Sequence, residues 1–200
     1  MIAPVSREHN AKNLKLILGS EISDSLIVFY GTMLGMCRDK NIIDGDDDID
    51  FYIEKAEKQK VIKVLQDLDF LITYNKEDFV QGSRVIEGVT TYVDFYLYQI
   101  TPDSKYLIDK WNFFGCPHDR NAHMIIPFDL VLPYKKILLN DTVINIPNDI
   151  EGCCHFLYGE RYHTPMRKNI DYRMSMEGNT PKIVYLTPQQ NISYNIRRSP

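Results

Sequence analysis

From residue 44 the chain reads Asp-Gly-Asp-Asp-Asp-Ile-Asp, five carboxylates in seven positions, and then continues Phe-Tyr-Ile. The stretch Ile49 to Ile53 alternates apolar and polar side chains, the pattern of a half-buried strand. Residues two apart on a strand share a face. Asp48 and Asp50 therefore point one way, and Ile49 and Phe51 point the other way, into a core. A fold that accepts this stretch must bury one side of the strand and find a use for two carboxylates on the other.

A second segment repeats the arrangement. Along Thr90 to Ile100, Val93, Phe95 and Leu97 share one face and Tyr92, Asp94 and Tyr96 the other. If the two strands are neighbours, Asp94 approaches Asp48 and Asp50. Like charges 4 Å apart cost about 4 kcal/mol at an effective dielectric near 20. Three carboxylates stay together only if a cation joins them or some protons remain bound. Oxygen-only ligation suits Mg²⁺ or Mn²⁺. Two other readings of the acidic run stand beside this one, a solvated loop and a calcium loop. The calcium loop fails on detail. Counting from Asp44, the sixth position is Ile49 where glycine is required, and the twelfth is Lys55 where Glu is required.

The remaining pattern is mixed. Arg7 to Ile22 reads as a helix with Ser6 as its cap and a stripe of Leu14, Ile17 and Leu18. Leu26 to Tyr30 reads as a buried strand, with a short helix through Met33 to Cys37 after it. Glu54 to Leu68 has the clearest helical face, in Val61, Val64, Leu65 and Leu68. Phe70 to Tyr74, Val80 to Ile86 and Thr90 to Ile100 follow as strands, the last two joined at Glu87-Gly88. Lys136 to Leu139 and Thr142 to Ile146 form a hairpin around Asn140-Asp141. Asp149 caps a helix that stops near Tyr158-Gly159. The expected class is α+β, a small mixed sheet flanked by helices. One domain is expected over residues 1–172, and residues 173–200, rich in Asn, Pro, Gln and Ser, read as an irregular tail.

Composition sets the outer bounds. The 200 residues carry a formal charge of −4, without the basic excess of a general nucleic-acid binder, so no nucleic-acid partner is expected. No apolar run reaches the eighteen or so residues of a membrane-spanning helix, and no signal peptide is evident. The cysteines, Cys37, Cys116, Cys153 and Cys154, lack zinc-site spacing, and reduced thiols in a cytoplasmic protein are the expectation. Cys116, His118 and His123 cluster in sequence and read as loop neighbours.

Gly31-Thr32, between an apolar run and a helix, offers amides and a hydroxyl to phosphate oxygens. Joined to Asp-apolar-Asp-apolar on the next strand and a third carboxylate on another, this resembles the nucleotidyltransferase fold. More narrowly, Tyr30-Gly31-Thr32-Met33-Leu34-Gly35-Met36-Cys37-Arg38, then Ile43, then Asp46-Asp47-Asp48-Ile49-Asp50 resembles the signature of the LicD/fukutin-related family. Leu157-Tyr158-Gly159 and Pro165 resemble its closing motif. The resemblance implies a transferase that moves phosphocholine, ribitol phosphate or glycerol phosphate from a CDP-linked donor to a sugar hydroxyl of a glycan.

On that footing Asp48, Asp50 and Asp94 hold Mg²⁺ or Mn²⁺, and Asp94 is the general base. Arg38 meets the donor phosphate, or else forms a salt bridge to the acidic cluster. Gly31, Thr32 and Gly35 shape the donor-binding turn. Tyr92, Tyr96 and Tyr98 either contact a choline head group or are sheet-surface tyrosines. Trp111 stacks a base or sugar, or anchors the core; Arg84 and Lys40 meet phosphate or are surface charges. Two departures leave the transferred group open: Asp44-Gly45 replaces the family's Pro-Trp pair, and Asp39-Lys40-Asn41 its His-Lys-Gly. Transfer of a nucleotide with pyrophosphate release, and a non-catalytic binding module, are the alternatives.

Overall fold

The structure, a computed structural model, describes residues 5–111, 122–165 and 183–185. Cys116 and His118 lie outside the described residues, as does the His123 side chain. Helix α1 spans Arg7–Leu18, capped at Ser6, whose N–H donates to His9 Nδ1 at 3.0 Å. It stops four residues short of the expected Ile22 because Gly19 closes it, its amide donating to the carbonyls of Lys15 and Leu16. Strand β1 is Ile27–Val28, and helix α2 is Tyr30–Arg38. Strand β2 (Asp48–Glu54) leads through a 3₁₀ turn into α3, Lys58–Asp67. Strands β3 (Leu71–Lys76), β4 (Phe79–Ile86) and β5 (Val89–Ile100) follow. The Glu87-Gly88 turn has φ of 52° and 82°, and the Asn140-Asp141 turn 45° and 66°. Positive φ at both central residues is what a two-residue hairpin with twisted strands demands.

Four elements escaped the sequence reading: β6 (Tyr106–Asp109), β7 (Ala122–Pro127), the short α4 (Phe128–Val131) and β10 (Ile183–Tyr185). All are shorter than seven residues, too short for a period to register. Strand β10 lies in the segment read as an irregular tail, and it pairs antiparallel with β7. The hairpin β8 (Lys135–Leu139) and β9 (Thr142–Ile146) forms its own two-stranded sheet. Helix α5, Ile150–Tyr158, is capped by the Asp149 side chain accepting from the Gly152 N–H at 2.9 Å.

Among the described residues the main sheet has eight strands. Its path runs β1-β2-β5-β6-β7-β10, and the β3–β4 hairpin joins through β4 to β5. Strand β2 pairs with β5 in parallel, and α3 supplies the crossover that a parallel pair requires. The face bearing Ile49, Phe51, Val93 and Phe95 packs on α1, α3 and the β8–β9 hairpin, through Leu14, Ile17, Val61, Leu65 and Ile144. The opposite face is not simply polar. Tyr52 and Tyr98 lie in a second core with Phe29, just before α2, Met33 and Cys37 on α2, Leu107 on β6, Val131 on α4, and Cys153 and Leu157 on α5. The strand that looked half-exposed is therefore buried from Ile49 to Ile53, and only its two end residues, Asp48 and Glu54, reach the surface.

Candidate active site

The parallel register sets Asp50 opposite Asp94 and Asp48 opposite Tyr92. One oxygen from each of Asp48, Asp50 and Asp94 lies within 4.8 Å of the others. Asp50 and Asp94 are only 4% and 5% exposed, so each charge needs compensation. Asp50 Oδ2 accepts from the Gly31 N–H at 2.9 Å and the Thr32 N–H at 3.4 Å, at the start of α2. A carboxylate is favoured there because the amides of a helix's first turn lack partners and carry partial positive charge. Asp94 Oδ1 accepts from Gln81 Nε2 at 2.9 Å.

Gly31 and Thr32, expected to shape the donor-binding turn, meet Asp50 here. Their amides engage a carboxylate, and Thr32 Oγ1 accepts from the Asp50 N–H at 2.9 Å. A Cβ on Gly31 would sit 2.7 Å from Asp46 Oδ2 and 3.1 Å from Asp50 Oδ2, so only glycine lets the acidic loop close on the helix. Tyr30 begins α2 at φ 41°, a left-handed conformation costly for a bulky side chain. Its hydroxyl donates to Asp109 Oδ2 and is 2.8 Å from the Tyr52 hydroxyl, which donates to the same oxygen at 2.8 Å. Burial pushes both phenols well above their ordinary pKa, so they remain protonated donors. Asp109 was missed in the sequence, where a lone acid ending a four-residue apolar strand carries no motif.

The acidic loop is held from a second side. Asn10, fully buried on α1, donates from Nδ2 to the carbonyls of Asp46 at 2.8 Å and Asp48 at 3.1 Å. The Arg7 N–H reaches Asp44 Oδ1 at 3.1 Å, and Arg7 Nε reaches the Ile42 carbonyl at 2.9 Å. Asp46 and Asp47 also bring oxygens within 4.8 Å of Asp48. Asn10→Ala should loosen the acidic loop, and with Mn²⁺ as the probe its affinity should fall about tenfold, the size typical of losing an outer-sphere contact. A Mn²⁺ titration checks this, and unchanged affinity in a folded variant would refute the role given to Asn10.

Most of the other expected site residues find their partners elsewhere than the carboxylates. Arg38, at the far end of α2, is bound to neither acidic triad: Nε and Nη2 each donate to Asp39 at 2.7 Å. That pairing raises its pKa and lowers that of Asp39. A Cβ on Gly35 would meet the Asn41 carbonyl at 2.5 Å, so this glycine admits the returning loop 41–43 against α2. Lys40 Nζ donates to the Cys37 carbonyl at 2.8 Å, and Arg84 lies over the Phe70 ring at 5.4 Å. Trp111 stacks on Phe79, with ring centroids 4.4 Å apart. Tyr96 packs on Tyr30 at 4.6 Å, and Tyr98 is buried beside Tyr52. Burial first, then the charges of Asp50, Asp94 and Asp48, hold the Tyr96 phenol far above its usual pKa. Among the described residues no helix is long and apolar enough to cross a membrane.

Comparison with known proteins agrees with this geometry. No curated protein matches the chain. Among solved structures, lincosamide antibiotic adenylyltransferase LnuA in its lincomycin-bound form aligns with a TM-score of 0.54 at 15% identity, over 88% of this chain and 98% of that one. That likeness establishes a nucleotidyltransferase fold. The profile described as LicD/FKTN/FKRP, nucleotidyltransferase domain, matches residues 25–149, which include all three clustered carboxylates and the helix whose amides bond Asp50. The chain belongs to the LicD/FKTN/FKRP family, as a transferase of nucleotidyltransferase fold.

Proposed function

We propose that this protein transfers a phosphorylated alcohol (phosphocholine, ribitol phosphate or glycerol phosphate) from a CDP-linked donor to a sugar hydroxyl of a glycan. The observation that carries this reading is the Asp48, Asp50 and Asp94 cluster on two paired parallel strands. The cluster fits a divalent ion: its donors are all carboxylate oxygens, two of the three acids are buried, and the group is repulsive without a cation. Mg²⁺ or Mn²⁺ held there would neutralise charge on the donor diphosphate.

The chain's own residues divide the work. Gly31 and Thr32 fix Asp50 through their amides, acting on the donor through this carboxylate. Gln81 orients Asp94, which takes the proton of the acceptor hydroxyl as general base. The hydroxyl oxygen bonds to the phosphorus bearing the alcohol. The bond from that phosphorus to the bridging oxygen breaks, and CMP leaves with the electron pair. Arg38 keeps its charge at any working pH and serves the leaving phosphate by exchanging Asp39 for a phosphate oxygen.

Incubation with Mn²⁺, a glycan acceptor and labelled CDP-choline, CDP-ribitol or CDP-glycerol tests the reading, with nucleoside triphosphates in parallel. Acceptor-dependent CMP release is expected. Pyrophosphate release from a triphosphate would replace it with nucleotide transfer, and absence of both turnover and Mn²⁺ binding would favour a non-catalytic module.

A further inference from the structure

Asp94 has two different sides. Toward β2, Asp50 and the start of α2 occupy the space beside it. Toward β4, the sheet continues as a shelf. Register pairs Asp94 with Gln81 and Gln81 with Tyr74, so Asp50, Asp94, Gln81 and Tyr74 form one row across four strands. Directly paired side chains share a face. The Gln81 amide is fixed in direction, accepting from Thr73 Oγ1 at 2.7 Å and donating to Asp94 Oδ1 at 2.9 Å.

Beside this polar row lies an aromatic one. Phe79 is buried and packs on Tyr96, with centroids 5.1 Å apart. Trp111 lies flat on Phe79, at an interplanar angle of 4°. Tyr74 stands 6.3 Å from Phe79 and 6.4 Å from Trp111, and is 47% exposed. Trp111 is part-buried. The buried ring backs two accessible ones, and the three adjoin an oriented amide that leads to a buried carboxylate.

A pyranose ring matches such a surface. Its C–H face is apolar and lies flat on an aromatic ring, while its rim hydroxyls seek amides and carboxylates. A nucleobase would also stack, but it arrives joined to the diphosphate, which belongs over Asp48 and Asp50 on the α2 side. The geometry points to the Tyr74, Phe79 and Trp111 shelf as the binding site of the acceptor sugar, with Gln81 guiding its reacting hydroxyl to Asp94. This assignment rests on the transferase reading given above.

Trp111 is the chain's single tryptophan, so its emission reports directly on the shelf. The full chain is titrated with methyl β-D-galactopyranoside, methyl β-D-glucopyranoside and methyl N-acetyl-β-D-glucosaminide, and separately with CDP plus Mn²⁺ followed by calorimetry. At least one glycoside should change Trp111 emission saturably at millimolar concentration, with or without CDP and Mn²⁺. Tyr74→Ala should weaken that response about 3- to 10-fold, and Tyr74→Phe, which keeps the ring, should preserve it. If CDP with Mn²⁺ changes the emission and competes with the glycosides, the shelf holds the nucleotide and the assignment falls. It falls also if CDP and Mn²⁺ bind while no glycoside is seen, and in both cases the transferase reading survives. Glycoside binding without any binding of CDP or Mn²⁺ would uphold the sugar site and sink the transferase reading. If none of the three binds, both fall.

Discussion

Asp50→Asn and Asp94→Asn should each reduce CMP release by about 10³-fold or more while leaving the circular dichroism spectrum unchanged. Both changes keep the side-chain shape and an oxygen able to accept the existing hydrogen bonds, from Gly31 and Thr32 in one case and Gln81 in the other. What they remove is one charge from a buried group of three. The thermal signature should invert accordingly. Without metal, each variant should be more stable than the parent by about 1 kcal/mol, since a like-charge repulsion is relieved. Near 100 times Kd, Mn²⁺ should stabilise the parent by about 2.7 kcal/mol, or about 5–10 °C in Tm for a chain of this size. The variants should gain little. Turnover within about tenfold of the parent, or an equal Tm shift with Mn²⁺, would overturn the metal assignment.

The second large effect is on stability. Asp109 is 1% exposed and accepts from the Tyr30 and Tyr52 hydroxyls and, at 2.9 Å, from the Trp111 N–H. Asp109→Ala removes an acceptor shared by two buried phenols and an amide. The expected cost is about 3–5 kcal/mol, a fall in Tm of roughly 10 °C. Asp109→Asn keeps an acceptor oxygen and should cost under about 2 kcal/mol. The consequence reaches the active site. Tyr30 holds a left-handed φ of 41° at the start of α2, and its hydroxyl anchor is what secures that conformation. Without the anchor, the amides of Gly31 and Thr32 shift away from Asp50. Mn²⁺ affinity should therefore drop in Asp109→Ala even below its unfolding temperature. Thermal melts and a Mn²⁺ titration measure both effects. A Tm within about 2 °C of the parent would show that the buried network contributes little.

The chain's strongest local patterns were legible without coordinates. The strands at Ile49–Ile53 and Thr90–Ile100, the helical face of Val61, Val64 and Leu65, and the cap at Asp149 all reappear in the fold, because each is written within one element's own period, although the first strand is buried on both faces. The expected approach of Asp94 to Asp48 and Asp50 also holds: the parallel register sets Asp50 opposite Asp94, and a one-residue slip would turn one strand's apolar face away from the core. The pieces that were not legible are those whose meaning lies between elements. Asn10 gives no sign in sequence that its amide would hold carbonyls 36 and 38 residues away. Arg38 likewise gives no sign in sequence that its guanidinium pairs with Asp39, the next residue.

By itself, then, the sequence determined that two carboxylates share one strand face, that a third sits on a matching strand, and that a glycine and a threonine open the helix beside them. Those are consequences of side-chain period and backbone freedom. Only the tertiary structure decided what the glycine and threonine amides bind, that Gln81 donates to the buried Asp94, and that a buried acid at position 109 anchors the Tyr30 hydroxyl at the helix start. Charge compensation and hydrogen-bond satisfaction in a buried site depend on groups far apart in the chain, and packing alone brings those groups together.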